Sequence, residues 1–361
     1  MSKKEAVVRS PVLDTWRAIA CLMVFFFHTG TNLSFGKWVI YGFCGVHLFF
    51  ILSGYLIFKP FLNAIIERKA LPSIPQFYFR RFVRIYPAYL AALLVYIVAR
   101  WSTGLHPPSL NNITDHLFLV FNYSDPSNFF SIGVVFWSLA IEVQFYLLMP
   151  WIARMRSALG MILLFILVGP ISRWIEFNYF SSTVLGTDEL VRFRSVFSFL
   201  DLFGYGMLIA WIEKTVPQFS SLKKTKLNWT ISLIGFAGVL LANQWCDQVK
   251  PGHWLDVNDS FFIVGFPIIL SLGIGLIFVA LLNRPMSNFK FLPWVGQISY
   301  SLYLWHVAVQ LVIFRLVHLS WIENPYLQNF TYGLISLVPT LILSAISFKL
   351  IEKPSLRLLA R

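Results

Sequence analysis

Apolar runs of roughly 20 residues recur along this whole chain, each long enough to cross the hydrocarbon of a bilayer as a helix. We place ten of them, at 12–30, 38–58, 85–100, 134–153, 158–175, 196–212, 228–243, 261–282, 295–317 and 331–350. The run starting at Ile85 is short, and Gly42, Gly45 and Gly54 are candidate breaks in the second. Only 12% of the residues are charged and 57% are apolar, with a mean hydropathy of +0.69. Soluble domains carry about 25% charged residues, twice this share. The expected fold is all-α, a polytopic membrane protein with about ten transmembrane helices.

Lys and Arg fall unevenly between the two sets of loops. With the N-terminus cytoplasmic, the inner segments hold about three times as many as the outer ones, which is the bias that orients membrane helices. Both termini are then cytoplasmic. The formal net charge of +13 reads as topology, and no nucleic-acid partner is expected. The basic N-terminus leads into an apolar core with no small-x-small cleavage pattern after it, so the first run reads as a retained anchor. The three cysteines give no disulfide framework. A bridge between Cys44 and Cys246 stays open, because both fall on the expected outer side. The seven His are scattered without metal-ligand spacing, so no metal is expected. There is no phosphate-binding glycine loop, no 20–50-residue repeat and no inverted repeat.

Polar residues inside the runs are the informative exceptions, because a charge in a bilayer is costly and defaults to a functional hypothesis. Arg17 and His28 lie eleven positions apart in LDTWRAIACLMVFFFHTG, with no charge between them. Eleven residues make about three helical turns, so both project from one face, roughly 16 Å apart along the axis. In FWSLAIEVQFYLLMPW, Glu142 falls in the outer half of its run. It is paired to a cation, neutral, or catalytic; at the depth of His28 it would form an acid/base pair with it. In ISYSLYLWH, the small polar and aromatic groups suit interhelical hydrogen bonds or a cavity lining equally.

The segment 59–84 is expected to hold a short helix lying on the cytoplasmic interface, built on Phe61, Ile65 and Ile66 and ended by Pro72 and Pro75. Arg80, Arg81 and Arg84 follow. Arg81 and Arg84 are an i, i+3 pair able to act on one phosphate; they serve equally well as positive-inside anchors. The outer stretch 101–133, with its Asn, Asp, Tyr, His and Trp residues, fits a sugar cleft or an ordinary loop.

Taken in order, LDTWRAIACLMVFFFH, GVHLFFILSGYLIF, FRRFVRIYPAYL, FWSLAIEVQFYLLMPW and ISYSLYLWH resemble the integral-membrane acyltransferase-3 family over essentially the whole chain. Its members move an acyl group, usually acetyl, from cytoplasmic acyl-CoA to a sugar across the membrane. Their acceptors include lipopolysaccharide O-antigen, exopolysaccharide, peptidoglycan and periplasmic glucans. The family's arginine–ten residues–histidine motif falls on Arg17 and His28, its RxxR motif on Arg81 and Arg84, and its membrane glutamate on Glu142. The resemblance implies catalysis by His28 with Glu142, and acetyl-CoA contacts for Arg17, Arg81 and Arg84. We assign Ser53, Tyr300 and His306 to acceptor contacts. One position departs from the pattern: the acid usual after GV in the second block is His47 here.

The expected protein is therefore a single acyltransferase domain in the bacterial cytoplasmic membrane, with no appended hydrolase domain. Its partners are acyl-CoA, membrane lipid and a glycan or glycolipid. Two other classes fit the polar residues. A transporter or flippase would use Arg17, His28 and Glu142 as a polar path without acyl-CoA turnover. A scaffold or sensor would use them only as ties between helices.

Overall fold

The computed structural model describes residues 10–31, 41–102, 107–124, 128–180, 195–216, 226–249, 260–282 and 290–359. Among them there is no strand. The long helices are α1 (Pro11–Thr31), α2 (Cys44–Ile66) and α3 (Ile74–Ser102), then, after a short α4 (Leu110–Leu117), α5 (Phe136–Ile152) and α6 (Ala158–Ile175). They continue as α7 (Leu200–Thr215), α8 (Lys226–Val249) and α9 (Ser260–Leu281). A broken span follows, α10 (Phe291–Gln297) turning by 81° into α11 (Ser299–Leu316), and then α12 (Pro325–Ser347) and a last short α13 (Lys353–Arg357). Nine of the described helices are long and apolar enough to cross a membrane, or ten with the bent pair taken as one span.

The bundle is apolar on both sides of its wall. Phe25, Phe58, Phe136, Phe145 and Phe203 are fully buried in the centre. Leu163, Leu167, Ile171 and Trp174 stand exposed along one face of α6, the pattern a lipid-facing helix needs. Close helix approach relies on glycine, as lipid-embedded packing commonly does. A Cβ on Gly54 would sit 2.1 Å from the Phe203 carbonyl oxygen, and one on Gly206 2.0 Å from that of Ile51. Helices α2 and α7 therefore touch backbone to backbone. At the broken span, a Cβ on Gly296 would lie 1.8 Å from the Asp14 carbonyl oxygen, so α10 packs directly on the first turn of α1. That contact brings Ser299 and Tyr300 beside Arg17.

Two expectations for 59–84 are corrected. No separate interfacial helix forms: Phe61 and Ile65 belong to the end of α2, which runs on through Pro60, and Phe61 meets Phe77 of α3 at 5.3 Å. Buried packing of Phe61, Leu62 and Ala64 outweighs the hydrogen bond lost at one proline. The arginine cluster is not in a loop either, because α3 starts eleven residues before Ile85 and carries Arg80, Arg81 and Arg84 in its first turns. The second helix is unbroken at Gly45 and Gly54, while Gly42 lies in the 3-10 turn Tyr41–Phe43 before it; residues 38–40 of that expected run lie outside the described residues.

The remaining polar residues tie helices together. Arg173 of α6 is 3% exposed and forms a two-armed pair with Asp201 of α7, at 2.8 and 2.7 Å, while donating to the Ser198 carbonyl at 2.7 Å. Arg173 is thus an internal tie between α6 and α7. Glu352, also buried, accepts from Ser301 at 2.5 Å and fastens the end of the chain to α11. Cys21, Cys44 and Cys246 are buried thiols.

Candidate active site

Two cavities meet inside the bundle. The first, about 120 Å³, is lined by Arg17 of α1, Ser53 of α2, Arg81 and Arg84 of α3, Glu142 and Tyr146 of α5, and Tyr300 of α11. Its charges are arranged rather than scattered. Arg17 donates to Asp14 at 2.9 Å, one turn earlier on its own helix. Arg81 packs between rings, its guanidinium carbon 5.6 Å from the centre of Phe77 and 5.7 Å from that of Tyr146. The Arg81 Nε–H is buried and has no hydrogen-bond partner among the described residues. One oxygen of Glu142 accepts from the hydroxyls of both Ser53 and Tyr146, the latter at 2.5 Å. Three guanidinium groups thus face two carboxylates, Asp14 and Glu142, and both acids are engaged. The surplus is positive, and a planar fork with a free donor suits a phosphate.

The second cavity, about 170 Å³, is lined by His28, His47, Arg173 and a set of aromatic rings that includes Phe130, Trp137 and Phe199. It lies at the end of α1 remote from Arg17, next to the segment between α3 and α5 that contributes Phe130. Val46 and Tyr303 line both cavities. Tyr303 is held by a hydrogen bond of 2.5 Å to Ser138. Among the described residues there is no group of three or more His, Cys, Asp or Glu side chains able to hold a metal ion.

The site residues expected from sequence fall into two sets. Arg17, Arg81, Arg84, Glu142, Ser53 and Tyr300 surround the first cavity. His28 lines the second, and His306 bonds to it, Nε2 to Nδ1, at 3.0 Å. The expected His28–Glu142 pair is not what the structure brings together. The two line different cavities, and Glu142 bonds to Ser53 and Tyr146 while His28 bonds to His306 and the Val24 carbonyl. Ser53 and Tyr300, assigned to the acceptor, share the cationic cavity; Tyr300 donates to the Ile85 carbonyl at 2.9 Å. His47, at the departure from the family pattern, lines the His28 cavity. Sequence reasoning passed over Trp137, Phe130 and the Arg173–Asp201 pair. The last had a signal, since ISRWI and FLDLF each put a charge inside an apolar run.

Comparison with known proteins identifies the family. A family model described as acyltransferase domain matches residues 11–349. The peptidoglycan O-acetyltransferase OatA of Listeria monocytogenes is 28% identical in an alignment that covers 95% of this chain and 55% of that protein. The putative peptidoglycan O-acetyltransferase YrhL of Bacillus subtilis is also 28% identical, over 95% of this chain and 54% of its own length. The O-acetyltransferase OatA of Staphylococcus aureus is 26% identical over 95% of this chain and 57% of its own length. This chain thus spans about half the length of these relatives. No solved structure matches it. With the family model running from the first turn of α1 to the end of α12, the chain belongs to the integral-membrane acyltransferase-3 family.

Proposed function

We propose that this protein is a multi-pass O-acyltransferase of the bacterial cytoplasmic membrane that moves an acetyl group from acetyl-CoA to a hydroxyl of a cell-envelope glycan. The observation that carries the reading is the pair of abutting cavities, one cationic and one aromatic with an imidazole, sharing Tyr303 and Val46. With the N-terminus cytoplasmic, as the basic residues favour, the cationic cavity opens toward the cytoplasm and receives the donor. Arg81 and Arg84 take the phosphates, and Arg17 guides the pantetheine arm inward. An extended arm is comparable with the roughly 16 Å rise from Arg17 to His28, so the thioester comes to lie near Tyr303.

The acceptor enters the second cavity, where Trp137, Phe130 and Phe199 offer flat apolar faces to a sugar ring. A ring nitrogen of His28 takes the hydroxyl proton as the acceptor oxygen bonds to the acyl carbon. The carbon–sulfur bond breaks, and the departing thiolate takes the proton from His28. Glu142, with the Ser53 and Tyr146 hydroxyls on one oxygen, balances the arginines and keeps the donor path from binding anions too tightly. The apolar walls limit loss of the thioester to water.

The names of the relatives, with three O-acetyltransferases and two specified for peptidoglycan, favour a peptidoglycan fragment over O-antigen or exopolysaccharide as the first acceptor to test. Protein reconstituted in lipid vesicles is supplied with isotope-labelled acetyl-CoA and muropeptide, O-antigen or exopolysaccharide oligomers. A mass gain of one labelled acetyl on a glycan supports the reading. Glycan movement across the membrane with acetyl-CoA unconsumed would replace it with the transporter reading.

A further inference from the structure

His306 is an imidazole whose hydrogen positions the surrounding backbone dictates. It is 1% exposed on α11, and its Nδ1 lies 2.8 Å from the Tyr303 carbonyl oxygen and 3.2 Å from that of Leu302. Carbonyl oxygens only accept, so Nδ1 carries the hydrogen and Nε2 carries the lone pair. That Nε2 faces His28 Nδ1 at 3.0 Å, and His28 Nδ1 also lies 3.0 Å from the Val24 carbonyl oxygen. Two acceptors converge on His28 Nδ1, so it too carries a hydrogen. The lone pair of His28 is then on Nε2. The ring centres are 4.9 Å apart. Gln310, one turn beyond His306, donates to the Phe25 carbonyl and to Thr29 at 2.9 and 3.0 Å, locking α11 against the same turn of α1.

We infer that His306 is a positioning residue: through the chain from the Leu302 and Tyr303 carbonyls to His306 and on to His28, it fixes His28 as the Nδ1–H tautomer and presents Nε2 as the base. This rests on the acyl-transfer reading above and replaces acceptor contact as the role of His306. As Nε2 takes the hydroxyl proton, the positive charge that forms on His28 is shared through its Nδ1–H with the His306 lone pair. When Nε2 passes that proton to the departing thiolate, both rings return to their starting tautomers. No proton leaves His306 in the cycle. The backbone carbonyls and His306 together take the place that a carboxylate holds behind a catalytic histidine in hydrolase triads.

The test uses the full chain in lipid nanodiscs with labelled acetyl-CoA and unacetylated muropeptide as acceptor. His306→Phe keeps the ring volume and removes the acceptor; it is expected to lower kcat by about a hundredfold, within the usual range for acid–base groups. KM for acetyl-CoA should stay within about threefold. His306→Gln places a carboxamide oxygen where Nε2 lies and is expected to recover kcat to within about tenfold of the parent. Gln310→Leu loosens the helix contact without touching the proton chain and should lower the thermal transition with kcat retained. A folded His306→Phe protein with unchanged kcat, or a Gln variant no better than Phe, would overturn the inference. Independently of turnover, nitrogen NMR of histidine-labelled protein, with His28 and His306 assigned by single replacement, should find both as Nδ1–H tautomers. A His28 ring protonated on Nε2 alone overturns it even where the variants fail to fold. Full activity in His28→Ala would instead remove the functional reading beneath it.

Discussion

Tyr303 and Ser138 share a 2.5 Å hydrogen bond that holds the tyrosine ring where the cationic and aromatic cavities meet. On the proposed reading, a partition at that point separates the donor cavity from the acceptor cavity. Tyr303→Ala should join the cavities and let water reach the thioester. The expected outcome is a rise of several-fold in acetyl-CoA hydrolysis without glycan, with a fall in acetyl transferred per donor consumed. Thiol release set against labelled glycan reads this ratio, and an unchanged ratio would remove the partition role.

Arg81 has a buried Nε–H without a partner among the described residues, and two aromatic rings near its guanidinium. A hydrogen bond to a charged group contributes about 1.5–3 kcal/mol. Arg81→Ala should therefore raise KM for acetyl-CoA by about ten- to a hundredfold and leave kcat at saturating donor much less affected. Arg81→Lys keeps the charge but loses the planar fork, and should fall between the two. Initial rates across donor concentration separate these outcomes, and equal donor affinity in all three proteins would return the RxxR pair to a topological role.

The Arg173–Asp201 pair is buried at 3% and 0% exposure. Removing one partner leaves an uncompensated charge, which costs about 3–5 kcal/mol. Arg173→Met and Asp201→Leu should each lower the thermal transition in detergent strongly, while the double variant should be more stable than either. A double variant as unstable as the sum of the singles would mean that the two residues act independently and not as a charge pair.

Gly54 and Gly206 mark the closest approach of α2 and α7. Gly206→Ala puts a methyl group into the Ile51 backbone, and the helices must separate. A loss of about 1–3 kcal/mol or more is expected. Separation would also shift Ser53 away from Glu142. Thermal denaturation and acetyl-CoA affinity should fall together.

On the segment between α3 and α5, Ser109 caps α4 by accepting from the Asn112 N–H at 3.2 Å. There His116 stacks on Phe121 at 4.0 Å and burial pushes its imidazole down to about 4. A lowered value means that the unfolded segment binds the proton more readily, so order is complete above about 6.5 and is lost as pH falls toward 4. Hydrogen exchange of amides 110–124, corrected for intrinsic rates, should quicken on going from pH 7.5 to 5. His116→Gln should flatten that dependence, and a slope unchanged by the replacement would assign it elsewhere.

The spans were legible because burial in lipid and burial in the bundle both demand apolar residues, so the hydropathy pattern survives tertiary context. The ends of α2 and α3 were not, because a proline at position 60 and a basic cluster at 80–84 both read as loop signals until Phe61 is seen against Phe77. Arg17 and His28 were legible as one helix face, since spacing gives rise and azimuth together. The partners of His28 and Glu142 were not, since a sequence does not say which helices pack against one another. His306 lies 278 positions from His28, and only the packing of α11 on α1 brings them within bonding distance.

Whether His28 is the base is decided by transfer of label from acetyl-CoA to glycan by His28→Ala protein. Correctly inserted variant should bind acetyl-CoA with near-parent affinity and transfer acetyl at least about a hundredfold more slowly. Transfer at the parent rate by that variant would contradict it.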